Sequence, residues 1–205
     1  MRKLAIIPMA GLLALAISAP AMAGPNVSNS SGTAKVINGE WYSDGGYGYA
    51  YFASDSQSGV WGEVYTESGE WIPCDESGEY YGFVGTRTSG WSGDLSITID
   101  SRLDHGSASG TLELFTETVN ECTGEYAGSG EPTSVAFSAE LDGVGSPARF
   151  RGSGSYKLPG EFNNHSTQSG KERPATGSID LGDAGSRSFD YAILATYSWR
   201  DHSNN

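Results

Sequence analysis

Apolar and aromatic side chains recur at every second position along most of this chain. In SFDYAILATYSW, Phe189, Tyr191, Ile193, Ala195, Tyr197 and Trp199 alternate with smaller or polar residues. Successive side chains of an extended strand point to opposite faces, so a period of two describes a strand buried on one side. Leu95, Ile97 and Ile99 repeat the pattern, as do Leu112 and Leu114, then Val135, Phe137, Ala139 and Leu141. The period of 3.6 that an amphipathic helix requires is absent. The runs are separated by SDGG, SDSQSG, TSGWSGD, DHGSASG, DGVGSP and GDAGS, whose Gly, Ser and Asp favour turns. An all-β domain of about nine or ten antiparallel strands follows, built as a sandwich, a jelly roll or a closed barrel. Within SFDYAILATYSW, the face that carries Ile193 is the expected buried one, and Thr196 points to water.

The ends of the chain read differently. Arg2 and Lys3 precede an apolar stretch from Leu4 to Ile17, and Ala21-Met22-Ala23 supplies small residues at a cleavage site. Residues 1–23 are expected to be a secretory signal, too short to span a bilayer, which places the chain in an extracellular or periplasmic compartment. Residues 24–33 read as a flexible polar leader, 34–200 as a single domain and 201–205 as a polar tail. Cys74 and Cys122, the only two cysteines, then form one disulfide.

The net charge is −13, and losing Arg2 and Lys3 with the signal makes it −15. Such a body repels phosphate backbones, so nucleic acid is not an expected partner. Arg149, Arg151 and Lys157 form a local exception, a basic stripe along one strand face in ARFRGSGSYK. Stable insertion into a membrane is not expected either, because outward faces of a barrel would carry Glu113, Arg149, Arg151 or Asp180.

No zinc signature, phosphate loop or nucleophile elbow is present, and no cofactor or metal site is expected. Asp100 with Asp104, or Asp180 with Asp183, have the spacing to help hold calcium. Turn aspartates usually bond to backbone instead. His105, His165 and His202 lie apart in polar segments.

Two strands carry the aromatic signal. In YGYAYF, Tyr47, Tyr49 and Tyr51 share a face, and in VWGEVYT, Trp61, Glu63 and Tyr65 do. An odd loop of three or five residues puts Tyr51 opposite Trp61 and Tyr47 opposite Tyr65, with Phe52, Ala50, Val60 and Val64 facing the core. An even loop of six buries the tyrosines instead. In both registers Trp61 and Tyr65 stand beside the charge of Glu63, which favours water. Aromatic faces stack on the C–H side of a sugar ring while polar groups meet its hydroxyls. The expected function is therefore glycan binding through Trp61, Glu63, Tyr65, Trp71 and Trp91, with a polysaccharide or cell-surface glycan as partner.

Two alternatives compete. Glu79 in GEYYGF resembles the Glu-Tyr-Tyr strand that holds the nucleophile of small xylanases, and Glu125 in TGEYAG follows Cys122 as Glu79 follows Cys74. The resemblance implies a secreted glycoside hydrolase with that carboxylate pair. It covers a few residues, and the family's spacing and flanking motifs are absent. Ten alternating strands behind a signal also fit an outer-membrane β-barrel.

Overall fold

A computed structural model describes residues 28–204 except 44, 129 and 159–161. The expected signal lies outside the described residues. The fold is almost entirely β, with twelve strand segments and one 3-10 turn at Gly182–Ala184. The strands are β1 (Ser28–Ser43), β2 (Gly46–Asp55), β3 (Gly59–Pro73), β4 (Tyr81–Ser92), β5 (Leu95–Ile99) and β6 (His105–Asn120). They continue as β7 (Glu125–Gly128), β8 (Thr133–Gly143), β9 (Ala148–Leu158), β10 (Phe162–Asp180), β11 (Ser186–Ser188) and β12 (Tyr191–Asn204). The expected leader is strand from Ser28 onward, and β12 runs through the expected tail to Asn204. Both segments gain order from pairing with each other, Ser28 opposite Ser203 and Ser31 opposite Arg200.

All pairings are antiparallel, and they return on themselves. β1 pairs with β2, β2 with β3, β3 with β4, β4 with β6 and β6 with β8; β8 pairs with β10, β10 with β12, and β12 with β1. This is a sheet closed into a ring of eight strands in chain order. Of the short segments, β5 continues β4 and β11 continues into β12 across bulges. Between the β4 pair Trp91–Glu113 and the β5 pair Leu95–Gly110, one strand carries three residues and β6 only two. One extra residue leaves the ladder and reverses the phase of the side chains beyond it.

Eight strands enclose a space just wide enough for side chains. Here it holds Ile37, Trp41, Phe52, Leu112, Phe137, Leu141, Ile179 and Leu194 in one cluster. The space is filled by setting large residues over glycines of other strands, neighbouring or across the ring. Trp41 lies on Gly48, where a Cβ would fall 2.3 Å from the indole; Phe52 covers Gly62, Leu114 covers Gly90 and Leu194 covers Gly106.

The longest alternating run is split by such a bulge. Between the pairs Ala175–Ala192 and Ser178–Ser188, the β11–β12 side has one residue too many. Phe189 therefore turns inward onto Gly39 and Trp41, ring centroids 6.0 Å apart. Ile193, Ala195, Tyr197 and Trp199 face outward, and the core residues of β12 are Ala192 and Leu194. The expectation that Ile193 lies on the core face is corrected accordingly. Ala195 is nevertheless buried, since it meets Val36, Ala53, Tyr51, Trp61 and Tyr197 in a second, outer cluster.

Cys74 and Cys122 are bridged, Cα atoms 4.9 Å apart, joining the end of β3 to the turn after β6. The described residues include no helix long and apolar enough to cross a membrane.

Two outcomes test this account. Reduction is expected to lower the melting temperature, because the bridge spans 48 residues and a loop of that size corresponds to about 4 kcal/mol in the chain-entropy model. An unchanged melt in reductant contradicts it. Leu194→Asp is expected to abolish cooperative folding, since it places an unpaired charge in the core. Ile193→Asp, on the half-exposed outer face, retains a sharp melt.

Candidate functional site

The hairpin between β2 and β3 is closed by a three-residue loop, Ser56 to Ser58, with Asp55 paired to Gly59. Asp55 sets the loop. Its Oδ1 accepts the N–H of Gln57 at 2.8 Å and of Ser58 at 2.9 Å, while Oδ2 accepts the Trp199 indole N–H at 2.9 Å. Gly59 then takes a φ of 85°, a left-handed turn that favours glycine. The loop is odd, so Phe52, Ala50 and Val64 face the interior and all three tyrosines face out. The pairing differs by two residues from that expected for an odd loop. Tyr49 stands opposite Tyr65, Tyr51 opposite Glu63, and Ala53 opposite Trp61. The carboxylate in the turn lets the strands pair down to Asp55, and this moves every partner along.

The outer face of β1 to β4 is consequently an aromatic field. Tyr42 and Tyr47 have ring centroids 5.3 Å apart, and Tyr47 and Tyr49 6.3 Å. Tyr49 stacks on Tyr65 at 5.6 Å with planes 25° apart, and Tyr51 meets Trp61 at 5.1 Å. Trp91 stands opposite Glu63 on β4 and is 62% exposed. Trp61, Glu63, Tyr65 and Trp91 therefore share one surface. Trp71 shares the strand but not the place, ten residues from Trp61 and so about 33 Å away. It is exposed beside Phe83, ring centroids 6.0 Å apart.

Carboxylates line the field: Glu40 from β1, Glu63 and Glu67 from β3, and Glu113 from β6, opposite Trp91. Arg87 is set among them. Its Nη2 lies 2.8 Å from Glu121 Oε1, its Nε 3.6 Å from Glu67, and its guanidinium 4.8 Å above the Phe83 ring. Glu67 in turn accepts the Tyr65 hydroxyl at 2.8 Å, so the arginine orients the tyrosine through the glutamate. Burial, then the bond to Glu67, raises the Tyr65 phenol to about 12. Burial, then the charge of Glu40, raises Tyr47 to about 12 as well. These hydroxyls thus remain donors at neutral pH, beside carboxylates that accept.

The other candidates serve local structure. Asp100 accepts the N–H groups of Arg102, Asp104 and His105, Asp104 pairs with Arg173, and Asp180 accepts the Gly182 N–H. His105 bridges Asp142 at 3.0 Å and Glu140 at 3.1 Å, and the bond to Asp142 leads in raising its pKa. His165 bonds to Ser155 and His202 to Asn29. Glu79 is exposed in the turn before β4, and Glu125, also exposed, accepts the Thr123 hydroxyl. Sequence reasoning did not assign Arg87, Tyr42 or Tyr49 to the site. The signal for Arg87 was its place opposite Glu67, which only the register of β3 and β4 reveals.

Comparisons with protein-family models, with curated proteins and with solved structures find no match to this chain.

Asp55 gives a pH-dependent test. Partial burial pushes its carboxyl up, but bonds from Ser58, Trp199 and Gln57 outweigh this and hold it below the ordinary value of 3.8. A lowered pKa adds stability that is present above the unfolded value and disappears as pH falls through the folded one. Asp55→Ala is expected to cost about 1 kcal/mol at pH 7, like the loss of a capping side chain, and less near pH 2. Equal losses at both pH values, measured by denaturant unfolding, contradict the assignment.

Proposed function

We propose that this chain is a secreted glycan-binding protein whose outer face on β1 to β4 is the binding surface. The observation that carries the reading is the run of outward-facing aromatic rings from exposed Tyr42 through half-buried Tyr49 and Tyr65 to exposed Trp91, edged by carboxylates. Ring faces suit the apolar side of a pyranose; the Tyr42 and Tyr65 hydroxyls donate to Glu40 and Glu67 and so present their oxygens as acceptors, and the carboxylates of Glu40 and Glu63 accept from sugar hydroxyls. The disulfide fits the oxidising compartment that secretion implies. A ring of eight strands in chain order is also a shape of outer-membrane barrels. Those turn an apolar band outward and polar residues inward. Here the interior holds Trp41, Phe52 and Leu112, and the outer face carries Glu40, Glu63, Glu113 and Arg87, which favours water on the outside.

Trp91→Ala tests the reading. The side chain contributes little to the core, so the melting temperature is expected to stay the same. Loss of a stacking anchor is worth about 2 kcal/mol, or roughly a thirtyfold weaker Kd. Retention on chitin, cellulose and peptidoglycan measures it. Wild-type protein held by none of them, or a variant held equally well, removes the proposal.

A further inference from the structure

Beyond the ring, β9, β10, β12 and the first half of β1 run on as a flap of sheet. Its inner side continues the face that carries Ile37, Ala175 and Leu194 inside the ring. The turn between β5 and β6 ends the opposite wall here, where Lys171 Nζ donates to Ser101 O at 3.1 Å and Arg173 to Arg102 O at 3.3 Å. Past that turn the face changes character. One row across the strands reads Arg149, Lys171, Thr196, Lys35, Ser54. The next reads Arg151, Ser169, Ser198, Thr33, and the third Ser153, Thr167, Arg200, Ser31.

These three rows hold five of the chain's twelve Lys and Arg, in a protein of net charge −13, and no Asp or Glu. Among the described residues, no carboxylate lies within ion-pair distance of these five. Two adjoining grooves run along the face. One of about 450 Å³ is lined by Lys35, Lys171, Ser54 and Thr196, and one of about 270 Å³ by Arg151, Thr167 and Arg200; Ser169 and Ser198 belong to both.

We propose that this inner face binds a linear polyanionic polysaccharide, one bearing sulfate or carboxylate groups along its length. Unneutralised cations held side by side repel one another, and an anion removes that repulsion while forming charge-assisted bonds. Serine and threonine hydroxyls between the cations donate to the remaining oxygens. Arg149 and Lys35 are three strand spacings apart, about 14 Å, a span for repeated negative groups rather than for one small ion. The rows contain no Phe, Tyr or Trp, and the rings of Tyr197 and Trp199, which border the grooves, belong to the outer side of the sheet, packed in the outer cluster and bonded to Asp55, so the inner face offers nucleic-acid bases nothing to stack on. A groove admits a chain but not the plane of a bilayer. The site stands whether or not the aromatic face binds sugar, since the two occupy opposite sides of the sheet.

Calorimetry with heparin fragments and polygalacturonate, with dextran as the neutral control, tests the proposal. At 50 mM salt the wild type is expected to bind at least one of the two polyanions and not dextran, and to weaken by 200 mM salt as charges are screened. Lys35→Gln with Arg200→Gln, both exposed, is expected to weaken binding about tenfold at an unchanged melting temperature. A Lys35→Gln, Arg151→Gln pair replaces it if that protein does not fold. Trp91→Ala leaves polyanion binding intact, which separates this site from the aromatic face. No binding of either polyanion, equal binding by the glutamine variants, or tighter binding of single-stranded oligonucleotides or phosphatidylserine vesicles overturns it.

Discussion

The structure depends on glycines that accept a large neighbour. A ring of eight strands has room inside for one layer of interlocked side chains, and a glycine faces each of four large ones where a Cβ would collide: on the adjoining strand for Trp41, Phe52 and Leu114, and on β6, across the ring, for Leu194. Gly48, Gly62, Gly90 and Gly106 are therefore packing residues as much as Phe52 is. Protein interiors approach crystal density, so a methyl added at any of these points must move a ring or a strand. Turns alone do not account for the glycine content of the chain; much of it lies beneath aromatic and leucine side chains.

The same economy explains the outer surface. With small residues at 48 and 50 and Phe52 filling the interior beside them, the tyrosines at 47, 49 and 51 face outward. Their partners across β3 and β4 then determine chemistry. Glu67 ties Tyr65 to Arg87, and Asp55 fixes the register that brings these strands into line. The two faces of the sheet differ in sign, with acids among aromatics outside and cations among hydroxyls on the inner side of the flap.

Period-two alternation made the strands and the inward residues of β5, β6 and β8 legible from sequence, and the pair of cysteines in a chain with an expected secretory signal made the disulfide so. Register was not legible, because the carboxylate of Asp55 decides where pairing stops, and loop composition alone does not report that. Ile193 was misread because a bulge is a count of residues between two hydrogen-bonded pairs, and the second strand of the count lies elsewhere in the chain. Trp61, Glu63 and Tyr65 could be grouped since they share one strand, whereas Trp71 shares that strand but stands too far along it. The basic stripe of Arg149 and Arg151 was visible; Lys35, Lys171 and Arg200 join it only through pairing across β9, β10, β12 and β1.

The seam between β1 and β12 joins the first described strand to the last, with Asn29 opposite His202. Every other neighbour in the ring can pair as soon as the next segment of chain emerges, but this seam waits for β12. Closing a loop of more than 150 residues carries the largest entropic cost of any pairing in the molecule. Until it closes, β1 and β12 are bare edges able to pair with strands of other chains. High contact order of this kind makes folding slow, and the nascent ring is open, and open to misassembly, for as long as β12 is withheld.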